Sequence, residues 1–449
     1  MSVWVEFIMK VVNAVVFTCV TLHLLLLVFQ SSLICDLVVP AFMTDGNVFH
    51  VVLLTLPLVA VLCLLPSRPD LKKPGWQQAL LCGLVYTALV VFASAHLCSD
   101  ITDWSQVVLI PLTILSMTFC APLLLARRAY RCIFWCLAVL FAIHTFFVIS
   151  CMLTDTTSVF GRSLVQGPGR EKDFFGLILP KVDGLYSNSN TLGSFLMYLP
   201  AVLLSEAMIV GRFLSSAATL LLSIISLGLL GSFSRGAQLT VLLGGLFPAV
   251  QLSKRSRVLS IVISIFLVAL MVITMQPSVN RSSQSHLSDV RTSSGEDRAV
   301  ADSDITSGRF DLWRKALADI GRSPVLGTGY TGDDSGAESP HNFLLANLLY
   351  FGCLGTIALV SMLALLGRNI QQRLREYPAL MPVAGVLAAV ILIHGQLEYV
   401  LTYPLFLSNS MFWFLLGYVA FANLDIDSPG SRQSFKSHRS KSNVYSGSP

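Results

Sequence analysis

Arg235 stands in Gly231-Ser-Phe-Ser-Arg-Gly236, a minimal polar turn between two long apolar runs. A guanidinium held there is expensive without an anionic partner, and its rigid fork of donors matches phosphate oxygens. The plainer reading is a side chain that snorkels to lipid head groups. His341 lies in Ser339-Pro-His-Asn-Phe343, where a long polar segment gives way to an apolar run. A helix N-terminus disfavours positive charge, which keeps an imidazole neutral and able to act as a base near pH 7. The same terminus offers N–H groups to a phosphate. The plainer reading of His341 is a cap or a surface residue. Arg309, in Ser307-Gly-Arg-Phe-Asp-Leu-Trp313, is either a second anion contact or a solvated charge. An imidazole beside an anion site at a membrane surface suits deprotonation of a hydroxyl that attacks a phosphate-activated carbon.

Other polar groups give weaker signals. Asp302-Ser-Asp304 has the spacing of the Asp-x-Asp pair that holds a divalent metal in many sugar transferases, but it sits in a Ser/Asp-rich stretch. Asp333, Asp334 and Glu338 are acidic neighbours before His341. No metal site is assigned to either group. His394 and Glu398 are four apart and share a helix face, where the carboxylate orients an arginine or the histidine, or faces an aqueous entrance. Glu206 with Arg212 reads as charge at a membrane boundary. The ten cysteines show neither a disulfide framework nor a zinc spacing. No cofactor is expected.

The elements that position these residues follow from composition. Of 449 residues, 54% are hydrophobic and 12% charged, with a mean hydropathy of +0.72, against about 25% charged in soluble domains. Lipid must therefore solvate much of the chain, which excludes a soluble multidomain protein, a disordered chain and a collagen-like repeat. Apolar runs at 11–29, 48–65, 78–97, 107–126, 133–152, 191–210, 214–230, 237–252, 258–276, 342–366, 379–400 and 405–423 give twelve spans. Such runs must be helices, because lipid leaves backbone groups no other partner. The fold class is an all-α polytopic membrane protein.

Short loops carrying Lys10, Arg68, Lys72, Lys73, Arg127, Arg128, Arg131, Arg212, Lys254, Arg255, Arg257, Arg368, Arg373 and Arg375 lie on one side, and Asp36, Asp45, Asp100 and Asp103 on the other. The positive-inside bias then places both termini in the cytoplasm. The first span reads as an anchor rather than a removed signal peptide. Four regions result: helices 1–9 over 1–276 with an outward loop at 154–190, a long outward loop at 277–341, helices 10–12 over 342–424, and a disordered tail at 425–449. The 154–190 loop holds Arg162, Arg170 and Asn188. The 277–341 loop is polar and flexible at first. It then shows Phe310, Trp313, Leu317 and Ile320 at helical spacing, with Ser307 as N-cap and Gly321 and Pro324 ending the helix. Phe310 and Trp313 dock that helix on the bundle or the bilayer.

With these residues in view, the C-terminal half resembles the O-antigen ligase and polymerase superfamily of bacterial inner-membrane glycosyltransferases. The resemblance rests on Ser232-Phe-Ser-Arg-Gly-Ala237, Gly308-Arg-Phe-Asp-Leu-Trp313 and Ser323-Pro-Val-Leu-Gly-Thr-Gly329. It also rests on His341-Asn342, nine residues, then Gly352, two residues and Gly355-Thr356, which is similar to the ligase signature. Asp183-Gly-Leu-Tyr-Ser-Asn-Ser-Asn190 resembles the Asn-rich start of the family's sixth span but lacks its frequent proline. These motifs cover roughly 180–360, and the first 150 residues match in hydropathy alone.

The resemblance implies a metal-independent, inverting transfer of a glycan from undecaprenyl pyrophosphate to a sugar hydroxyl of lipid A-core. The site would face the periplasm, and the long loop between helices 9 and 10 would be periplasmic. It implies His341 as the base, Arg235 and Arg309 on the pyrophosphate, and supporting roles for Asn342, Arg162, Arg170, Asn188 and Glu398. Arginines replace a metal in this scheme, because pyrophosphate leaves readily once its charge is neutralised. Gly352 and Gly355 are expected to let membrane helices approach closely. The expected partners are the lipid-linked donor, lipid A-core and membrane lipids, with no nucleic acid.

Two other readings stand beside the ligase. A polymerase would extend the lipid-linked glycan instead; the complete pattern from His341 to Gly355 favours the ligase. A transporter of lipid-linked glycan should carry ionisable or broken-helix features near the bilayer midplane, often in paired halves. Here the unusual residues cluster at one membrane face.

Overall fold

The computed structural model describes residues 3–30, 47–64, 74–153, 158–159, 162–163, 171–174, 177–180, 189–210, 234–252, 278–279, 309–330, 340–397 and 407–422. Among the described residues five apolar helical stretches are long enough to cross a membrane: Glu6–Val28, Gly75–Ser94, Asp103–Leu124, Arg127–Phe146 and Phe343–Glu376. Shorter apolar helices cover Val48–Leu64, Leu192–Glu206, Pro378–His394 and Leu407–Phe421. The chain is therefore a helical multi-pass membrane protein. The expected spans at 214–230 and 258–276 and the tail at 425–449 lie outside the described residues.

In chain order the helices are α1 (Val3–Gln30), α2 (Asn47–Leu64), α3 (Pro74–Ser94), α4 (Ile101–Ile114), α5 (Ala121–Leu124), α6 (Arg127–Leu153), α7 (Ser189–Leu196), α8 (Leu199–Val210) and α9 (Arg235–Leu252). They continue with α10 (Arg309–Arg322), α11 (Phe343–Glu376), α12 (Met381–Ala389), α13 (Gly395–Leu397) and α14 (Leu407–Phe421). Two π-helical turns interrupt the spans, Leu115–Cys120 between α4 and α5, and Val390–His394 between α12 and α13. The run at 191–210, expected as one helix, is two. Pro200 lacks the N–H that would continue the ladder, and the turn falls at Met197–Tyr198.

Strand among the described residues is confined to the 154–190 and 277–341 segments. β1 (Ser158–Val159) pairs β2 (Arg162–Ser163), and β3 (Glu171–Phe174) pairs antiparallel with β4 (Leu177–Pro180). β3 also pairs β5 (Ser278–Val279), with Glu171 opposite Val279 and Lys172 opposite Ser278. This register joins the 154–190 segment to the start of the 277–341 segment.

α14 is the centre of the bundle, with every residue from Leu407 to Ala420 buried. A helix that is apolar on all sides must be surrounded, and this one is held by polar contacts at intervals. His23 of α1 contacts His50 of α2 (Nδ1···Nδ1 2.8 Å) and Ser410 of α14 (Nε2···Oγ 3.0 Å). Near the far end, Tyr418 donates to Glu206 (2.9 Å), whose second oxygen is 3.6 Å from Arg131. Glu206 thus meets Arg131 and Tyr418; its expected neighbour Arg212 lies outside the described residues. The Tyr130 ring stacks on Phe414 at 5.1 Å.

α11 lies along α3, tied by Tyr86 Oη donating to Asn347 (2.8 Å). It is broken at Gly352, where φ is +62°. In an unbroken helix Cys353 and Leu354 would donate to Leu349 and Tyr350. Instead the turn that follows α10 is spliced into the gap. Thr328 and Gly329 donate to the Leu349 and Tyr350 carbonyls (2.8 and 2.9 Å), while Cys353 and Leu354 donate to Pro324 and Val325 (2.9 and 3.3 Å). These four backbone groups at the break are satisfied by the inserted turn. A Cβ on Gly352 would strike the Val325 carbonyl, and Gly327 (φ +77°) abuts the Tyr350 carbonyl just as closely. The small-residue spacing Gly352-x-x-Gly355 therefore does not serve the helix-on-helix approach expected of it. Gly352 admits a loop, and a Cβ on Gly355 would meet only Phe351 of its own helix.

Two glycines should respond to alanine with opposite signs. Gly352→Ala forces a left-handed backbone costing about 1–2 kcal/mol, with the carbonyl clash added, and should lower the melting temperature of the purified protein. Gly321 in α10 meets nothing within 4 Å of an added Cβ, so Gly321→Ala should raise stability by about 0.5–1 kcal/mol.

Candidate functional site

The start of α11 is built around residue 342. Asn342 is extended (φ −146°, ψ 120°), and its Oδ1 accepts from the Leu345 N–H at 2.9 Å, an N-cap. Its Nδ2 donates to the Gln396 side chain (3.1 Å) and approaches the Gln396 carbonyl (3.3 Å). One of the terminal N–H groups expected to be open to a phosphate is thus taken by the cap.

His341, half-buried just before that cap, adopts φ +45°; among the described residues it is the non-glycine with positive φ. On its other side Pro340 is buried, and its carbonyl accepts from Trp313 Nε1 at 2.7 Å. Trp313 lies one turn into α10, the helix that Arg309 opens. α10 packs on α11, with Ala316 buried and Ile320 partly buried against the core, while Trp313 reaches the Pro340 carbonyl just before α11. Phe310 and Leu317 do not join that face, being 58% and 59% exposed. The expected apolar stripe divides: Trp313 and Ile320 dock the helix, while Phe310 leans on Trp313 with ring centres 5.3 Å apart.

Gln396 connects this corner to the rest of the bundle. Its Nε2 donates to the Ile391 carbonyl inside the π-helical turn (3.0 Å). His394, the last residue of that turn, is buried and lies 2.9 Å from Ser194 Oγ of α7. The turn departs from the regular α-helix that the His394/Glu398 face assumed. One residue back on α7, a Cβ on Gly193 would collide with Ser234, the residue before Arg235. A chain of contacts therefore runs from Ser234 at the head of α9, through Gly193 and Ser194, to His394, Gln396, Asn342, His341, Pro340 and Trp313. Segments from five parts of the sequence meet at one end of the bundle.

Arg235 begins α9, Arg309 is half-exposed at the head of α10, and His341 and Asn342 lie between α10 and Gln396. Arg162 falls in β2, opposite Val159. Arg170, Asn188, Glu398, Asp302, Asp304, Asp333, Asp334 and Glu338 lie outside the described residues. Gln396 and Ser194 were not anticipated. Gln396 could have been, since it is a polar residue between His394 and Glu398 in an otherwise apolar run. Ser194 carried no signal, because a serine near a span's start is ordinary.

Nearby, burial and the Asp103 and Asp100 carboxylates push the Cys98 thiol up, which makes it a poor nucleophile. A cleft of about 740 Å³ opens between the end of α3 and the spliced turn, lined by Phe92, His96, Pro324, Val325 and Leu326 among others. It shares no lining residue with the 340–342 or 394–396 segments.

A helical multi-pass membrane protein with polar segments gathered at one end of its bundle defines the class. Residues 218–360 match the family described as O-antigen ligase. That stretch contains Arg235, Arg309, His341, Asn342 and the Gly352 break. No curated protein matches the chain.

Removing the cap should register without any substrate. Asn342→Ala deletes the bond to Leu345 and leaves Gln396 without its donor. The expected loss is about 1–2 kcal/mol, read as a lower melting temperature, whereas an unchanged temperature would mean that the cap contributes nothing.

Proposed function

We propose that the protein is an O-antigen ligase that moves a glycan from undecaprenyl pyrophosphate to a sugar hydroxyl of lipid A-core. It works at the periplasmic face of the bacterial inner membrane, inverting the anomeric centre without a metal ion. In this reading twelve helices span the membrane, both termini are cytoplasmic, and the 154–190 and 277–341 segments are periplasmic.

The observation that carries the reading is the meeting of the His341 turn, the Arg309 helix and, through α7, the head of the Arg235 helix within one contact network. The chemistry follows from the residue types. His341 accepts the proton of the acceptor hydroxyl as its oxygen bonds to the anomeric carbon from the side opposite the pyrophosphate. The bond from that carbon to the pyrophosphate oxygen breaks, and its electron pair leaves with undecaprenyl pyrophosphate. Arg235 and Arg309 offset the charge that develops there, the part a metal plays in other transferases. Asn342 holds the turn, and Arg162, Arg170, Asn188 and Glu398 support the donor or the acceptor. The ligase is preferred to a polymerase because the sequence runs His341-Asn342 through Gly352 and Gly355 with ligase spacing.

Deleting the gene should leave bare lipid A-core on a lipopolysaccharide gel while undecaprenyl-linked polymer accumulates, and a His341→Ala allele present at normal level in the membrane should not restore the ladder. Core bearing a single repeat unit, with no long polymer on the carrier, would instead mean a polymerase; an unchanged ladder would remove both. Arg235→Lys should keep less than about a tenth of the activity, because an ammonium cannot replace a bidentate fork. Full activity in that variant would return Arg235 to the head-group reading.

A further inference from the structure

We propose that Trp313 and Gln396 are positioning residues that grip the backbone on either side of His341 and so aim its imidazole; this rests on His341 being the base. A positive φ at a histidine persists only where the surroundings over-determine it. Here they do so from both directions. Upstream, the Trp313 indole N–H holds the Pro340 carbonyl from α10. Downstream, Gln396 holds the Asn342 side chain from the end of the π-helical turn, while its own amide is anchored on Ile391. The grips come from elements 27 and 54 residues away in sequence, so neither is a local consequence of the turn.

The arrangement also gears two functions together. Arg309 and Trp313 are four apart on α10 and therefore share a face. The helix that presents a cation to the donor is thus the helix that fixes the carbonyl before the base. Movement of α10 as the donor binds would be passed directly to His341. Trp313 and Gln396 carry no charge, and their hydrogen bonds here are made within the protein, so their loss should affect turnover rather than donor affinity.

The test uses the full chain in liposomes with lipid-linked glycan and lipid A-core, measuring rate against donor concentration. Trp313→Phe keeps a ring and removes one donor; Gln396→Leu removes both bonds at similar size. Each should lower kcat by about 10- to 100-fold, the scale of a misplaced catalytic group, with donor KM within about twofold of wild type. Neither should slow a His341→Ala protein further, because both act through that side chain. Gln396→Glu, which can still accept from Asn342 but cannot donate to Ile391, should fall between. Melting temperatures separate a misaimed histidine from a misfolded bundle, and Trp313→Phe carries the test if Gln396→Leu does not fold. Unchanged kcat, a rise in KM alone, or a full additional loss on top of His341→Ala would overturn the positioning role while leaving the base intact. A His341→Ala protein of wild-type rate would overturn the base, and the positioning role with it.

Discussion

Within a membrane a backbone polar group has no water to fall back on, so a helix broken at that depth must have its open groups filled by protein. The break at Gly352 in α11 is the place where this constraint is tightest, and much of the candidate site depends on how it is met. The turn 324–329 fills four of the groups released there, two carbonyls and two N–H groups, and supplies two of each. A glycine is required on both sides of the contact because the backbones are too close for a Cβ. The turn is consequently pinned in register, since a shift by one residue would leave all four groups mismatched.

That pinning fixes the neighbouring helix. From the splice back to its start, α10 runs alongside and parallel to the first part of α11. Nine residues separate Arg322 from Trp313 and ten separate Gly352 from Asn342, which at 1.5 Å per residue are lengths of about 14 and 15 Å. The match brings the Trp313 indole to the Pro340 carbonyl at the head of α11. Arg309 lies one turn beyond, near the level where the chain enters the helix. Thus the geometry at His341 is measured off from a backbone contact some three turns away.

The helical, membrane-embedded character of the chain was legible because apolar runs of span length leave no alternative to helix. Arg235, Arg309, His341 and Asn342 stood out as polar residues at the ends of such runs. Legibility failed where a single helix was interrupted. The break at Gly352, the split at Tyr198 and the π-helical turn at Val390–His394 occur inside runs whose hydropathy is continuous, and hydropathy does not register which carbonyl pairs with which N–H. For the same reason the glycine pair looked like a helix-packing motif, when the decisive partner of Gly352 is the turn at Val325. Gln396 was overlooked because its significance lies in a bond to a residue 54 positions earlier. Phe310 and Leu317 share the helical spacing of Trp313 and Ile320 yet stay exposed, because a periodic stripe does not say where its covered sector ends.

The contact between His23 and Ser410 also bears on biosynthesis. The two residues are 387 positions apart, so α1 and α2 emerge from the ribosome long before the helix they will pack against. At about 5–20 residues per second the wait is on the order of half a minute. During it, His23 and His50 can satisfy one another across their 2.8 Å contact, sparing each a solitary stay in lipid. Among the described helices the central one is thus the last to arrive, and its insertion among helices already in place closes the core they share. A nascent chain ending before Leu407 would lack the helix on which α1, α6 and α8 pack, so assembly of this core waits on the synthesis of α14.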